Sequence, residues 1–112
     1  MCCCSPFTPG DGRLAIVTEP NATRTLTAAD AGAYIRFTNA GGCVVTVNDG
    51  VFAPGDWVML RQVAAGAVSF AGSATLTPPI TNVAISGQQG ATVGLVFDTA
   101  DTADVTGDLQ DA

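Results

Sequence analysis

Apolar and polar residues alternate with a period of two along most of this chain. Glycine, proline or asparagine breaks the alternation every eight to twelve residues or so. The clearest run is Ala33 to Asn39, where Ile35 and Phe37 point one way and Tyr34, Arg36 and Thr38 the other, predicting a half-buried strand. Ala40-Gly41-Gly42 is a tight turn, and Cys43 to Asn48 reads as a second strand with Val45 and Val47 on one face. The turn signals Asn48-Asp49-Gly50 and Pro54-Gly55-Asp56 then lead into a third strand, Trp57 to Gln62. Shorter strands are expected at Ala67 to Ala71, Thr75 to Thr77 and Asn82 to Ser86. Gly87-Gln88-Gln89-Gly90 turns the chain into the strand Ala91 to Phe97. A first strand at Leu14 to Thr18 is stopped by Glu19-Pro20-Asn21, and Thr106 to Leu109 reads as a short edge strand. Between them, Thr27 and Asp30 have capping-box spacing and Gly32 supplies a left-handed stop, so a single helical turn is expected there.

Seven or eight short strands with no amphipathic helix predict an all-β fold, either a small β-sandwich or a β-barrel of jelly-roll-like kind. No internal repeat is regular enough to predict a solenoid or a propeller. Residues 1–12 (MCCCSPFTPGDG) carry Pro6, Pro9, Gly10 and Gly12 and read as an irregular N-terminal arm. Residues 13–112 form a single β domain.

Composition narrows the function. Only 12% of the residues are charged, and the net charge of −6 argues against a sequence-independent grip on nucleic acid or an anionic membrane surface. No charge occurs from Gln62 to Phe97, yet Pro78, Pro79, Asn82, Gln88 and Gln89 interrupt that stretch, so no membrane-spanning helix is predicted. The Met-Cys-Cys-Cys-Ser-Pro start has neither a basic nor an apolar leader region, which predicts folding in a cytoplasm. The long uncharged run implies one of two surfaces. Either other subunits cover it in the working state, or Thr, Ser, Asn, Gln and Gly hydrate it without charge.

The chemistry of catalysis is thin here. With no His and no Lys, the usual general bases and Schiff-base nucleophiles are missing, and Asp30, Asp49 and Asp56 fall in turns, where carboxylates bond backbone. The expectation is a non-enzyme with no cofactor and no metal. Asp98, Asp101, Asp104, Asp108 and Asp111 could gather oxygen ligands for Ca²⁺, but lack the spacing of a known loop, and a solvated acidic connection explains them as well. The aromatics Tyr34, Phe37, Phe52, Trp57, Phe70 and Phe97 sit on or beside strands. They are expected in the core or at an oligomer contact, in preference to a sugar-stacking platform.

The ordered set Thr25-Leu26-Thr27, Asp30-Ala31-Gly32, Tyr34-Ile35-Arg36-Phe37-Thr38-Asn39, Pro54-Gly55, Val58-Met59-Leu60-Arg61-Gln62, Ala65-Gly66-Ala67-Val68 and Gly107-Asp108-Leu109 carries a resemblance. Across residues 25–109 the chain resembles small β domains of bacteriophage virion proteins, of head-fibre, head-decoration and tail-fibre type. That resemblance implies a capsid decoration or cement protein on the virion exterior. It would be homotrimeric and bound to itself and to the major capsid protein or other virion subunits. The alternative it implies is a tail or head fibre module that binds a host receptor or glycan. The Asp-x-Gly-x-Tyr at residues 30–34 also spells an immunoglobulin tyrosine corner, but Arg36 stands where that family has Cys and Trp57 lies downstream.

The Cys-rich start departs from the virion pattern. Cys2, Cys3 and Cys4 are adjacent, and neighbours in sequence rarely bridge each other. They are candidates for intersubunit disulfides, with Cys43 as an internal candidate, formed once a particle leaves a reducing cytoplasm. Inert thiols, soft-metal binding and lipidation are the other readings, and Cys43 alone reads as a buried free thiol at a strand start.

Overall fold

The computed structural model describes residues 14–112. Eleven short strands form: β1 (Ala15–Glu19), β2 (Thr23–Thr25), β3 (Ala33–Phe37), β4 (Cys43–Thr46), β5 (Trp57–Gln62), β6 (Val68–Ala71), β7 (Thr75–Thr77), β8 (Asn82–Ser86), β9 (Thr92–Phe97), β10 (Thr102–Gly107) and β11 (Leu109–Asp111). The expected helical turn is a 3-10 turn at Ala28–Asp30, with the Asp30 carboxylate accepting the Thr27 backbone N–H at 3.0 Å.

The chain is all-β, as the alternation predicts, but it is a β-solenoid of about three turns and not a sandwich or a barrel. From β1 to β6 consecutive strands do not pair. β1 lies parallel to β3 and β3 parallel to β5, while on a second wall β2 lies parallel to β4 and β4 parallel to β6. Each turn of the coil therefore places one strand in each wall. The connections within a coil, Pro20–Ala22, Thr38–Gly42 and Val63–Ala67, are corners between walls. Their lengths are those of hairpin loops, so the period-two pattern on either side suits both architectures. The repeat is also uneven. Ala33 stacks on Ala15, 18 residues earlier, whereas Met59 stacks on Tyr34, 25 residues earlier.

After β6 the coil gives way to antiparallel pairing. β9 closes on β5, β10 on β9, and β7 runs parallel to β10, completing a six-stranded sheet in the order β1-β3-β5-β9-β10-β7. β8 and β11 form a separate two-stranded sheet. β10 lies where an acidic connection was expected. Ala103 and Val105 point inward and Asp104 and Thr106 outward, so Asp104 lies on the polar side of a strand, while Asp98, Asp101 and Asp108 flank that strand in exposed bends.

The core runs between the walls as stacked ladders. Ile35, Leu60 and Val93 occupy successive rungs of one wall, with Val17 partly covered above them, and Val45 lies opposite on β4. Phe52 and Phe97 stack with ring centroids 4.4 Å apart. Two inward polar groups are satisfied near the third turn. The Ser86 hydroxyl donates to Gln62 Oε1 at 2.6 Å and accepts the Val68 N–H at 2.7 Å, and Gln62 Nε2 donates to the Ala64 and Ala65 carbonyls. At the first turn the inward rungs are charged: Glu19 stacks on Phe37 and Arg24 on Val45. Arg24 bridges Glu19 at 2.9 Å and Asp30 at 2.6 Å, forming an ion-paired plug across that end of the core.

Candidate functional site

The face of the six-stranded sheet that points away from the core is the candidate site. Register fixes its layout, because side chains alternate across a strand and partners line up across the sheet. One row runs Ile16, Tyr34, Met59, Gly94 and Thr106. The row beside it on one side runs Thr18, Arg36, Arg61 and Thr92. The row on the other side runs Trp57, Val96, Asp104 and Thr77, and Asp98 follows in the bend just past the end of β9, where its carboxylate accepts the Thr102 hydroxyl.

Apolar side chains concentrate at the centre of this face. Ile16 is 64% exposed and Val96 46%, while Tyr34, Trp57 and Met59 are half-buried between them. A Cβ on Gly94 would meet Met59 Sδ at 3.3 Å and Thr106 Oγ1 at 3.0 Å, so those two side chains lean together over the glycine and flatten the strip. Charge is segregated around it. Arg36 and Arg61 are register partners, a like-charge neighbour pair that costs stability in an isolated sheet. Among the described residues, the ion pairs all belong to Arg24, so neither Arg36 nor Arg61 has a carboxylate partner. Across the apolar strip lie the exposed carboxylates Asp98 and Asp104.

The structure divides the sequence-predicted residues. Phe37 and Phe97 are core, with Phe52 stacked on Phe97. Phe70 is partly buried, and Tyr34 and Trp57 face outward. Cys43 is 2% exposed and free, and its thiol is pushed up to about 11 by burial and secondarily by the Glu19 carboxylate. A bridge from Cys43 to another chain requires the coil to open. Cys2, Cys3 and Cys4 lie outside the described residues, as does the arm.

Four aspartates serve turns and loops. Asp56 accepts the Ala53 N–H at 2.9 Å, Asp101 the Gly50 N–H at 3.0 Å, Asp49 the Ser73 hydroxyl at 2.6 Å and Asp108 the Gln88 amide at 2.7 Å. Among the described residues no three His, Cys, Asp or Glu side chains are grouped so as to hold a metal ion.

The uncharged stretch from Gln62 to Phe97 does not form one apolar flank. Its exposed positions are mostly Ala, Gly, Ser, Thr and Gln, with Val96 on the sheet face and Ile80, 98% exposed, after Pro78-Pro79. An apolar concavity of about 220 Å³ lies nearby, lined by Phe70, Ala71, Gly72, Ala74, Leu76 and Ala84. Ile16, Met59, Val96 and the Arg36–Arg61 pair escaped sequence reasoning as a group. Each was visible singly, but only the parallel register brings them onto one face. No family model, no curated protein and no solved structure matches the chain.

Proposed function

We propose that this protein is a non-enzymatic structural subunit of a bacteriophage particle, of the capsid decoration or cement type. It works by packing against copies of itself and against other virion subunits such as the major capsid protein. The observation that carries the reading is the outer face of the six-stranded sheet, where Ile16 and Val96 stand exposed beside Tyr34, Trp57 and Met59. A soluble chain gains from covering such a strip, and contiguous apolar surface of this kind marks contact sites. The resemblance across residues 25–109 supplies the virion context. A stacked coil suits the task, because its rungs are rigid and a subunit seated across a capsomer boundary adds buried area that must be lost before the boundary opens.

The full chain is expected to pellet with empty shells of its parent particle and to run as an abundant band, in hundreds of copies, on a stained gel of purified virions. A chain that stays in the supernatant with shells at every concentration sinks the reading. A fibre module that binds a receptor or glycan competes with it, because Tyr34 and Trp57 are aromatic side chains on an outward face. A handful of copies per particle, with glycan binding lost in Trp57→Ala, favours that alternative.

A further inference from the structure

We infer that the outer face of the six-stranded sheet is self-complementary and is covered by a second copy of this chain related by a two-fold axis. The inference rests on the reading of this face as a contact surface and names its occupant.

The argument is one of layout. Strands lie about 4.8 Å apart and successive outward residues on one strand about 7 Å apart, so the rows give each side chain a position on the face. The basic pair Arg36 and Arg61 lies on β3 and β5 at one side of the apolar strip. Asp98 and Asp104 lie diagonally opposite, at the end of β9 and on β10. A two-fold axis in the plane of the face, passing obliquely between Met59 and Val96, exchanges these two corners. It sets Arg36 of each copy over Asp98 of the other and Arg61 over Asp104. The same operation lays Trp57 of each copy between Tyr34 and Met59 of the other, and turns Val96 toward the gap between Met59 and Arg61. One rotation therefore matches charge with opposite charge and apolar with apolar.

Two features of the isolated chain make sense in the pair. The adjacent Arg36 and Arg61 side chains repel each other and lack carboxylate partners among the described residues, and the second copy supplies two. Tyr34, Trp57, Met59 and Val96 become the centre of the interface, with Ile16 at its edge and a charged rim around it, which is the usual anatomy of a specific contact. The face is small, about 24 Å across six strands and roughly 17 Å along them, at the low end for specific interfaces, so the pair dissociates on dilution. The pairing is two-fold, in place of the three-fold association that the resemblance implies.

Sedimentation equilibrium of the full chain tests this. The expected result is a concentration-dependent monomer–dimer equilibrium that weakens as salt is raised. Arg61→Asp should loosen the dimer by about tenfold or more, and Asp104→Arg likewise. The charge-swapped double variant Arg61→Asp with Asp104→Arg should regain most of the loss, because the axis pairs each residue with the other. Circular dichroism of each variant verifies the fold. A strict monomer at about 1 mM, a trimer, or a double variant no better than the singles overturns the inference. A monomer that still pellets with shells overturns the two-fold pair and leaves the structural reading standing. A dimer with the charge-swap behaviour and no affinity for shells does the reverse.

Discussion

At the scale of single residues, the first turn poses the sharpest electrostatic problem. Glu19, Arg24 and Asp30 point into the space where a further rung of core would stack, and both carboxylates are buried. A charge in such a place is tolerated only when paired. Burial is the largest single influence on Glu19 and pushes its pKa up. The bond from Arg24, the bonds from the Asn21 backbone and side-chain amides, and the nearby Arg24 charge together outweigh it, so the net shift is downward. The sign of the pH dependence follows. A carboxyl whose folded pKa lies below its unfolded value of 4.5 stabilises the fold above about pH 4.5, and loses that contribution as pH falls through the folded value. In Arg24→Met the Arg24 hydrogen bond, the largest of the lowering influences, and the smaller effect of its charge disappear while burial remains, and a buried carboxylate is left short of its partner at a cost of about 3 kcal/mol or more. Urea denaturation from pH 3 to 6 should therefore show stability rising with pH in the native chain, with a smaller rise in Arg24→Met from a lower plateau. Equal slopes in the two would remove Arg24 from the account.

At the scale of elements, the corners decide the architecture. Gly42 and Gly66 sit in successive corners of the coil and touch through their backbones. A Cβ on Gly42 would meet the Ala67 carbonyl at 2.7 Å, and one on Gly66 would run into the Gly42 backbone. Gly55 is a useful contrast, since its φ of +92° is left-handed but a Cβ there meets open space. Gly66→Ala should cost about 3 kcal/mol through overpacking against rigid backbone, whereas Gly55→Ala should cost only about 1 kcal/mol for the left-handed conformation. Thermal unfolding separates them, because each 1 kcal/mol moves the midpoint by roughly 4–8 °C in a chain of this size. Equal losses would mean that the corner yields enough to admit a Cβ at Gly66, so that close approach there is not what limits the coil.

The same corners explain what the sequence could reveal. β5, β7 and β8 were legible to the residue, because alternation within a strand is local. Whether the next strand folds back as a hairpin or turns a corner into another wall is set by which side chains stack one coil later. Spacings of 18 and 25 residues hide that register. β2, only three residues of Thr-Arg-Thr, carries no apolar signal at all, and the aspartates around β10 mask its alternation. The candidate face was hidden for the same reason. Ile16, Tyr34 and Met59 belong to three different coils, and parallel stacking alone makes them neighbours.

At the scale of the whole molecule, a solenoid distributes its stability along its axis, since each rung contacts only the rungs beside it. The two ends of this one are unlike. At the far end of the six-stranded sheet, antiparallel β9 and β10 cover β5, and β8 with β11 forms a further layer. At the near end, β1 and β2 each pair on one side only among the described residues, and Val17 is only partly covered. The inward Glu19 and Arg24 resist addition of a further rung there, because a coil stacked on that end would have to bury their charges against its own core. The near end is therefore held by fewer layers, and its last rung is polar. Local opening should start there and become rarer toward β5 and β9, which have hydrogen-bonded strands on both sides. Native-state hydrogen exchange read by mass spectrometry should rank amides of β1 and β2 as least protected, β3 and β4 as intermediate, and β5 and β9 as most protected. The two-fold pair would raise protection of outward residues on β3, β5 and β9 with concentration while leaving the β2 wall unchanged. Uniform protection across all three coils would show instead that the chain opens as one unit, with the charged plug as firm as the hydrophobic rungs beneath it.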